Sequence, residues 1–172
     1  HQLVPHLGEF RAEYPKVALQ LAVNAAVTRI DENFDVCVLV VEGALADSAM
    51  VARPLARSEI VSCASPSYLS RRGRPVHPAE LEQHDVVLPH NLRREVRFSR
   101  ASAAGAMLAA ESVTVTLPSA AFDSNDTELN YLAVMAGMGI AGLPSFVVAD
   151  ALRAGRLERV LADWHVLHLR VY

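Results

Sequence analysis

The chain has 172 residues, of which 52% are hydrophobic and 20% charged, and a net charge of −3 at neutral pH. That length can bury a core without disulfide staples, and the balance excludes both a disordered tail and a basic grip on nucleic-acid phosphates. The two dense basic runs, Arg71-Arg72-Gly73-Arg74 and Arg93-Arg94, read as solvated loops.

Leu3, Leu7, Phe10 and Tyr14 recur at helical spacing, with Pro5 suited to the first turn and Pro15 as the stop. Val17, Leu19, Leu21 and Val23 alternate with smaller or polar residues and predict a strand, punctuated by Asn24. A short helix is expected over 26–33. Residues 35–41 are apolar almost throughout, which predicts a strand buried on both faces as in a parallel sheet. Cys37 in that run and Cys63 in a later one read as buried reduced thiols. A loop is expected over 43–48, an extended segment over 50–55 and a strand over 59–64.

Ser65 is placed to cap a helix that starts on Pro66 and stops at Gly73. A short helix is expected over His77-Pro78-Ala79-Glu80-Leu81-Glu82 and a short strand over 85–88. Residues 89–110 mix arginines, serines and small residues and predict no clear element, with a surface excursion near 102–105. Residues 112–117 are β-branched and alternate as a strand.

Ser124-Asn125-Asp126 opens a helix. Asn125 and Glu128 have capping-box spacing, and Asp126 suits the positive end of the helix dipole. Leu129, Leu132, Ala133 and Ala136 would form one apolar face; Tyr131, Val134 and Met135 make the helix apolar on other sides, so it is expected to be buried. Gly137-Met138-Gly139-Ile140-Ala141-Gly142-Leu143-Pro144 closes that helix and begins a buried strand. Another helix follows and stops at Gly155, and 165–172 alternate as a strand. Helices and strands in this order predict an α/β fold.

No catalytic residue, metal site or cofactor is assigned. Cys-x-x-Cys, His-Glu-x-x-His, a phosphate-loop lysine and Gly-x-Ser-x-Gly are all absent. Gly137-Met138-Gly139-Ile140-Ala141-Gly142 follows a helix and opens a strand, the wrong order for a dinucleotide loop. His165 and His168, three apart in a strand, are expected on opposite faces, which prevents a shared metal. No run of 18 apolar residues marks a membrane span. The candidate ligand contacts are the polar helix starts and strand ends: Ser65 with Pro66, Ser124 with Asn125, Asn24, and Val41 with Glu42. Leu143, Pro144 and Phe146 are expected to supply an apolar wall.

Several blocks, in order and across nearly the whole chain, resemble the effector-binding domain of LysR-type bacterial transcriptional regulators. They are Glu13-Tyr14-Pro15, Asn33-Phe34-Asp35, Ala46-Asp47-Ser48-Ala49-Met50-Val51-Ala52-Arg53-Pro54-Leu55 and Ala64-Ser65-Pro66-Ser67-Tyr68-Leu69. Then come His77-Pro78-Ala79-Glu80-Leu81 with His84, Ser124-Asn125-Asp126, the glycine block at 137–144, and Gly155-Arg156-Leu157 through Asp163-Trp164. The resemblance implies a two-lobed fold like that of type 2 periplasmic binding proteins. Each lobe would be a small sheet flanked by helices, and two crossover strands would join them near Cys63-Ala64 and Ala141-Gly142. Lobe I would comprise 1–63 and 142–172, and lobe II 64–141. The winged helix-turn-helix, its linker helix and the first strand of the effector domain would lie outside this chain. The family's arginine and glycine on the strand after Phe34-Asp35 are replaced here by Leu39 and Val41, which argues against an arginine-anchored ligand at that point.

The function implied is a cytoplasmic ligand sensor. A small-molecule effector, an organic acid or an aromatic, would bind between the lobes. The readout would be the geometry of a homodimer or homotetramer, with the first helix and the second-lobe surface as interface elements and DNA bound only through the domain outside the chain. The alternative is a periplasmic solute-binding protein of a transporter. An enzyme on a related two-lobed scaffold lacks any acid/base or metal constellation.

Overall fold

A computed structural model describes residues 3–23, 33–42, 51–90, 92–100 and 111–172. The chain divides into two units, His1–Ile30 and Asp31–Tyr172. In the first, α1 (Val4–Glu13) forms as expected, with Pro5 in its first turn and the Tyr14 N–H closing onto the Phe10 carbonyl. Its apolar stripe is not buried: Leu3, Phe10 and Tyr14 are exposed, and the Phe10 and Tyr14 rings lie 5.0 Å apart. The strand expected from Val17 to Val23 does not form; these valines and leucines are exposed. Alternation supplies a face, but a strand also needs a ladder for its N–H and C=O groups. Asn24, residues 26–32 of the helix expected over 26–33, and the segments 43–50 and 101–110 lie outside the described residues.

The second unit is organised by β2 (Ala56–Ala64), nine residues whose burial rises from exposed at Ala56 to complete at Cys63 and Ala64. Its first half pairs antiparallel with β10 (His168–Val171), which in turn pairs with β1 (Val40–Glu42). Its second half pairs antiparallel with β7 (Ala141–Pro144), and its last two residues with β8 (Glu158–Arg159). The strand expected over 35–41 is therefore only its last part, antiparallel rather than parallel, with Val36, Val38 and Val40 exposed. A continuous apolar run does not by itself recruit cover on both faces. Cys37 is correspondingly half-buried, whereas Cys63 is fully buried and desolvation pushes its thiol up to about 12, which leaves Cys63 unreactive.

After β2, Ser65 caps α2 (Pro66–Arg72): its hydroxyl accepts from the Tyr68 N–H, and Gly73 ends the helix at φ +85°. A 3-10 helix (Pro78–Gln83) is capped by His77. Next come β3 (Val87–Pro89), β4 (Glu95–Arg100), β5 (Ser112–Thr116) and β6 (Phe122–Ser124). β4 falls in the stretch from which no element was predicted; it pairs antiparallel with β5 and with β9 (Trp164–His165), and only Phe98 of it is buried. β3 and β6 run parallel, and Ile140, just before β7, adds a parallel bridge to Val86.

α3 (Thr127–Met135) buries Asn130, Ala133 and Val134, whereas Leu129 and Leu132 are 50% and 51% exposed. The two leucines of the expected apolar face are thus outward, while its Ala133 is inward. Small residues at 130, 133 and 134 let the helix approach the strands, and leucine is not obliged to be inside. Gly137 takes φ +78° in the turn after α3, where its N–H bonds to the Val134 carbonyl. Gly139 is required for contact rather than for φ: a Cβ there would stand 2.5 Å from the Asp85 carbonyl oxygen. α4 (Ser145–Arg153) follows β7 directly.

The core has two neighbouring clusters. One joins Tyr68, Leu69, Val86, Phe98, Val115, Ile140 and Trp164; the other joins Val61, Val87, Val134, Leu143, Val148 and Leu157. At the first, the Tyr68 hydroxyl accepts the Asp85 N–H at 2.8 Å and meets His84 Nδ1 at 3.1 Å. Burial raises the Tyr68 pKa; burial, then the nearby Arg72 charge, lowers that of His84.

Two measurements test this packing. In urea unfolding, Leu157→Ala is expected to cost about 2–5 kcal/mol and Leu132→Ala about 0.5 kcal/mol or less. Because folded His84 binds its proton more weakly than the unfolded residue, with its ordinary pKa of 6.5, stability is complete above that pH and falls as pH drops below it. The His84→Gln variant is expected to lose that part of the slope in melting temperature between about pH 7 and 5.

Candidate functional site

Strand direction decides which expected contacts share an edge. β3 and β6 are parallel with Pro89 opposite Ser124, and the Ile140 bridge aligns the strand continuing into β7 with them. Their C-terminal ends therefore emerge together: Pro89-His90, Ser124-Asn125 and Pro144-Ser145. This is the edge at which open α/β sheets bind ligands. Phe146, in the first turn of α4, is partly buried there.

β2 runs against β7, so its N-terminal half reaches the same edge. Ser58 is buried, and its Oγ lies 2.9 Å from Ser145 Oγ. Ser58 pairs with Leu169 of β10, and Leu169 with Glu42 of β1. Glu42 and Ser58 thus stand in one row across three strands, and Val41 precedes that row. The structure brings Ser124, Asn125, Pro144, Phe146, Val41 and Glu42 to this one end of the sheet. Leu143 points inward, into the cluster with Val61 and Val148.

Ser65 and Pro66 are not gathered with them. They follow the C-terminus of β2, at the opposite edge. A Cβ on Gly137, just past the C-terminus of α3, would lie 3.3 Å from Ser65 Oγ. Ser124 lies just before the N-terminus of α3, and nine residues of helix span about 13 Å. Ser65 Oγ is 3.0 Å from Ser67 Oγ, and the Arg71 guanidinium donates to the Gly137 carbonyl at 3.0 Å. The Ser65 residue is 3% exposed.

The start of α3 also differs from expectation. Its cap is Asp126, whose Oδ1 accepts the Glu128 and Leu129 N–H groups at 2.7 and 3.1 Å, in place of the Asn125–Glu128 box. Ser124 Oγ accepts the Asp126 N–H, and the buried Asn130 amide donates to the Ser124 carbonyl. Asp126 thus fills the helix start that an anion would otherwise occupy. His90 was not anticipated. It lies in the stretch without a clear pattern, one residue beyond β3, and its Nδ1 is 2.7 Å from Asp123 Oδ2, both side chains about half exposed. The edge thus offers hydroxyls, one imidazole–carboxylate pair, and the carboxylates of Asp126 and Glu42.

His165 and His168 also differ from expectation: their rings stack with centroids 6.1 Å apart, because the chain breaks between β9 and β10 and the strand alternation does not carry through. Among the described residues no group of three or more His, Cys, Asp or Glu is placed to hold a metal. No helix among them is long and apolar enough to cross a membrane.

Comparison with known proteins gives a consistent result. The LysR substrate binding domain family model matches residues 1–172. An HTH-type transcriptional regulator of Escherichia coli is 37% identical over 166 residues, covering 94% of this chain and 52% of that protein. An HTH-type transcriptional repressor of Pseudomonas aeruginosa is 33% identical over 168 residues, covering 95% and 50%. The full-length structure of the Vibrio cholerae virulence activator AphB superposes with a TM-score of 0.80 at 23% identity, covering 99% of this chain and 55% of that one. The chain spans about half the length of the relatives it matches. These relatives are transcriptional regulators rather than transporter components.

The capping assignment is tested by substitution. Asp126→Ala is expected to lower unfolding free energy by about 1 kcal/mol, and Asn125→Ala by less than about 0.5 kcal/mol, in parallel urea titrations.

Proposed function

The chain belongs to the LysR substrate-binding domain family, with its two-lobed, periplasmic-binding-protein-like α/β fold, and from that premise we propose that it is the effector-sensing half of a cytoplasmic DNA-binding regulator. Effector binding at the edge formed by Ser124, Asn125, Pro144, Phe146, Val41 and Glu42 shifts the balance between two arrangements of the lobes. The shift equals the effector's difference in affinity for those arrangements. The readout is the geometry of a homo-oligomer, and DNA is contacted through a helix-turn-helix domain outside this chain. The matched relatives, named as HTH-type regulators, support this reading.

The observation that carries the choice of site is the convergence of three strand C-termini on one edge, met by the Glu42–Leu169–Ser58 row. Pro144 and Phe146 favour an apolar or aromatic body. The carboxylates of Glu42, Asp123 and Asp126 favour hydroxyl or amino groups over a bare anion at this edge. His90 joins the site as the partner of Asp123. Ser65 and Pro66 are not carried into the proposed site, because they leave the sheet at its other edge. The replacement of the family's arginine and glycine by Leu39 and Val41 in this chain fits the same preference.

The lobe division is likewise a proposal. Among the described residues, every buried core hydrophobic residue lies between Val61 and Trp164, and Trp164 shares a cluster with Tyr68 and Phe98. This packing supports lobe II running from Ala64 to about Trp164 rather than ending at Ala141. β2 and β10 then serve as the two linking strands.

A melting-temperature screen of small aromatic and hydroxylated metabolites tests the proposal. Ligand at about 100 times its Kd adds about 2.7 kcal/mol, a shift of about 5–10 °C for a domain of this size. Ser124→Ala and Glu42→Gln are each expected to remove most of the shift. A stabilising metabolite whose effect survives both substitutions would overturn the assignment of the site.

A further inference from the structure

The outer half of the β1–β10–β2 ladder has a second face, of which the proposed effector edge takes only Val41. Val41 pairs with Arg170, and Arg170 pairs with Arg57. Two arginines therefore stand directly opposite each other, an arrangement that disfavours a sheet by electrostatic repulsion unless something negative lies between them. Residues two apart in a strand share a face. Tyr172, held to Leu39 by reciprocal backbone hydrogen bonds of 3.0 and 2.9 Å, is on the face of Arg170. Leu55, whose N–H bonds to the Val171 carbonyl at 2.8 Å, is on the face of Arg57.

These side chains border an open cavity of about 380 Å³, lined by Pro54, Leu55, Ala56, Arg57, Arg170 and Tyr172. That volume is in the range of small-ligand sites. Among the described residues, neither Arg57 nor Arg170 has an acidic partner. The carboxylate next along the same face, Glu59, is engaged by Arg159 at 3.0 and 3.4 Å and approached by His165 at 3.6 Å. Ser58 and Glu42, on the intervening row, project to the other face, where Ser58 Oγ meets Ser145 Oγ.

The geometry points to a second small-molecule site, in which Arg57 and Arg170 together hold the carboxylate of a compact aromatic acid while Tyr172, Leu55 and Pro54 cover its ring. Two guanidiniums on one face supply forked donors matched to a carboxylate, and the shared anion relieves their repulsion. The anion-binding function thus comes from β2 and β10, although the neighbouring strand carries only Leu39 and Val41. This site shares no residue with the proposed effector edge, and it stands or falls independently of that edge.

Isothermal titration of the chain with phenylacetate, with neutral phenylacetamide and with inorganic phosphate tests it. Phenylacetate is expected to bind with Kd below about 1 mM, and each of the other two at least about tenfold more weakly, because one lacks the charge and the other the ring. Arg57→Gln and Arg170→Gln are each expected to weaken phenylacetate at least about tenfold while the unliganded protein melts no earlier than the parent, since each removes one of two facing cations. Should either Gln variant melt earlier, Arg57→Lys and Arg170→Lys keep the charge and lose the fork, and the same tenfold loss is expected of them. Absence of phenylacetate binding, equal binding of phenylacetamide, or binding insensitive to both arginines would overturn the proposal.

Discussion

Everything in the larger unit depends on β2. A single nine-residue strand carries β10 on its first half and β7 and β8 on its second, so the outer ladder and the inner core share one backbone. The strand changes character along its length: Arg57 is exposed, Ser58 is buried with a hydroxyl partner, and Cys63 and Ala64 are sealed. It therefore also fixes where polar chemistry is possible. Beyond Val61 the side chains belong to the core, and before Ile60 they face an edge or solvent.

Close backbone contact completes that arrangement. Gly139 lets the turn after α3 lie against Asp85, so the Ile140 N–H reaches the Asp85 carbonyl at 2.9 Å and the Val87 N–H reaches the Ile140 carbonyl at 2.9 Å. Those two bonds set β7 beside β3 in parallel and so bring Pro144 to the edge of Ser124. The same turn places Ser65 next to Gly137, at the far end of α3. Two serines that look equivalent as helix starters thus have different roles. Ser65 is enclosed by Ser67 and the Arg71–Gly137 bond, whereas Ser124 sits at an edge that carries the His90–Asp123 pair and the Asp126 carboxylate.

Opposite faces of the outer ladder have opposite electrostatic character. One row presents Glu42 and Ser58, the next Arg57 and Arg170, and pleating separates them by side rather than by distance along the strand. The two proposed sites therefore select for opposite ligand chemistry, hydroxyl or amino groups on one face and an organic anion on the other. The chain's net charge of −3 says nothing of this division, because it sums over both.

The sequence by itself determined the local elements whose signals are short-range. Ser65 and Pro66 start α2, Gly73 and Gly155 stop helices, 112–116 make a strand, and 137–144 turn from helix to strand, each through caps, φ preferences or alternation that a few residues encode. It also carried the family, because the ordered blocks survive as patterns. The tertiary structure alone decided what depends on pairing and burial: whether Val17 to Val23 acquires a ladder, that Val36 and Val38 remain exposed, that α3 turns Asn130, Ala133 and Val134 inward rather than its leucines, and that β4 forms in a stretch without a pattern. It also decided which predicted contacts meet. Strand direction is a property of the sheet and not of any segment, so no local reading could place Ser124 with Pro144 and Ser65 at the other edge, or set Arg57 opposite Arg170 from positions more than a hundred residues apart.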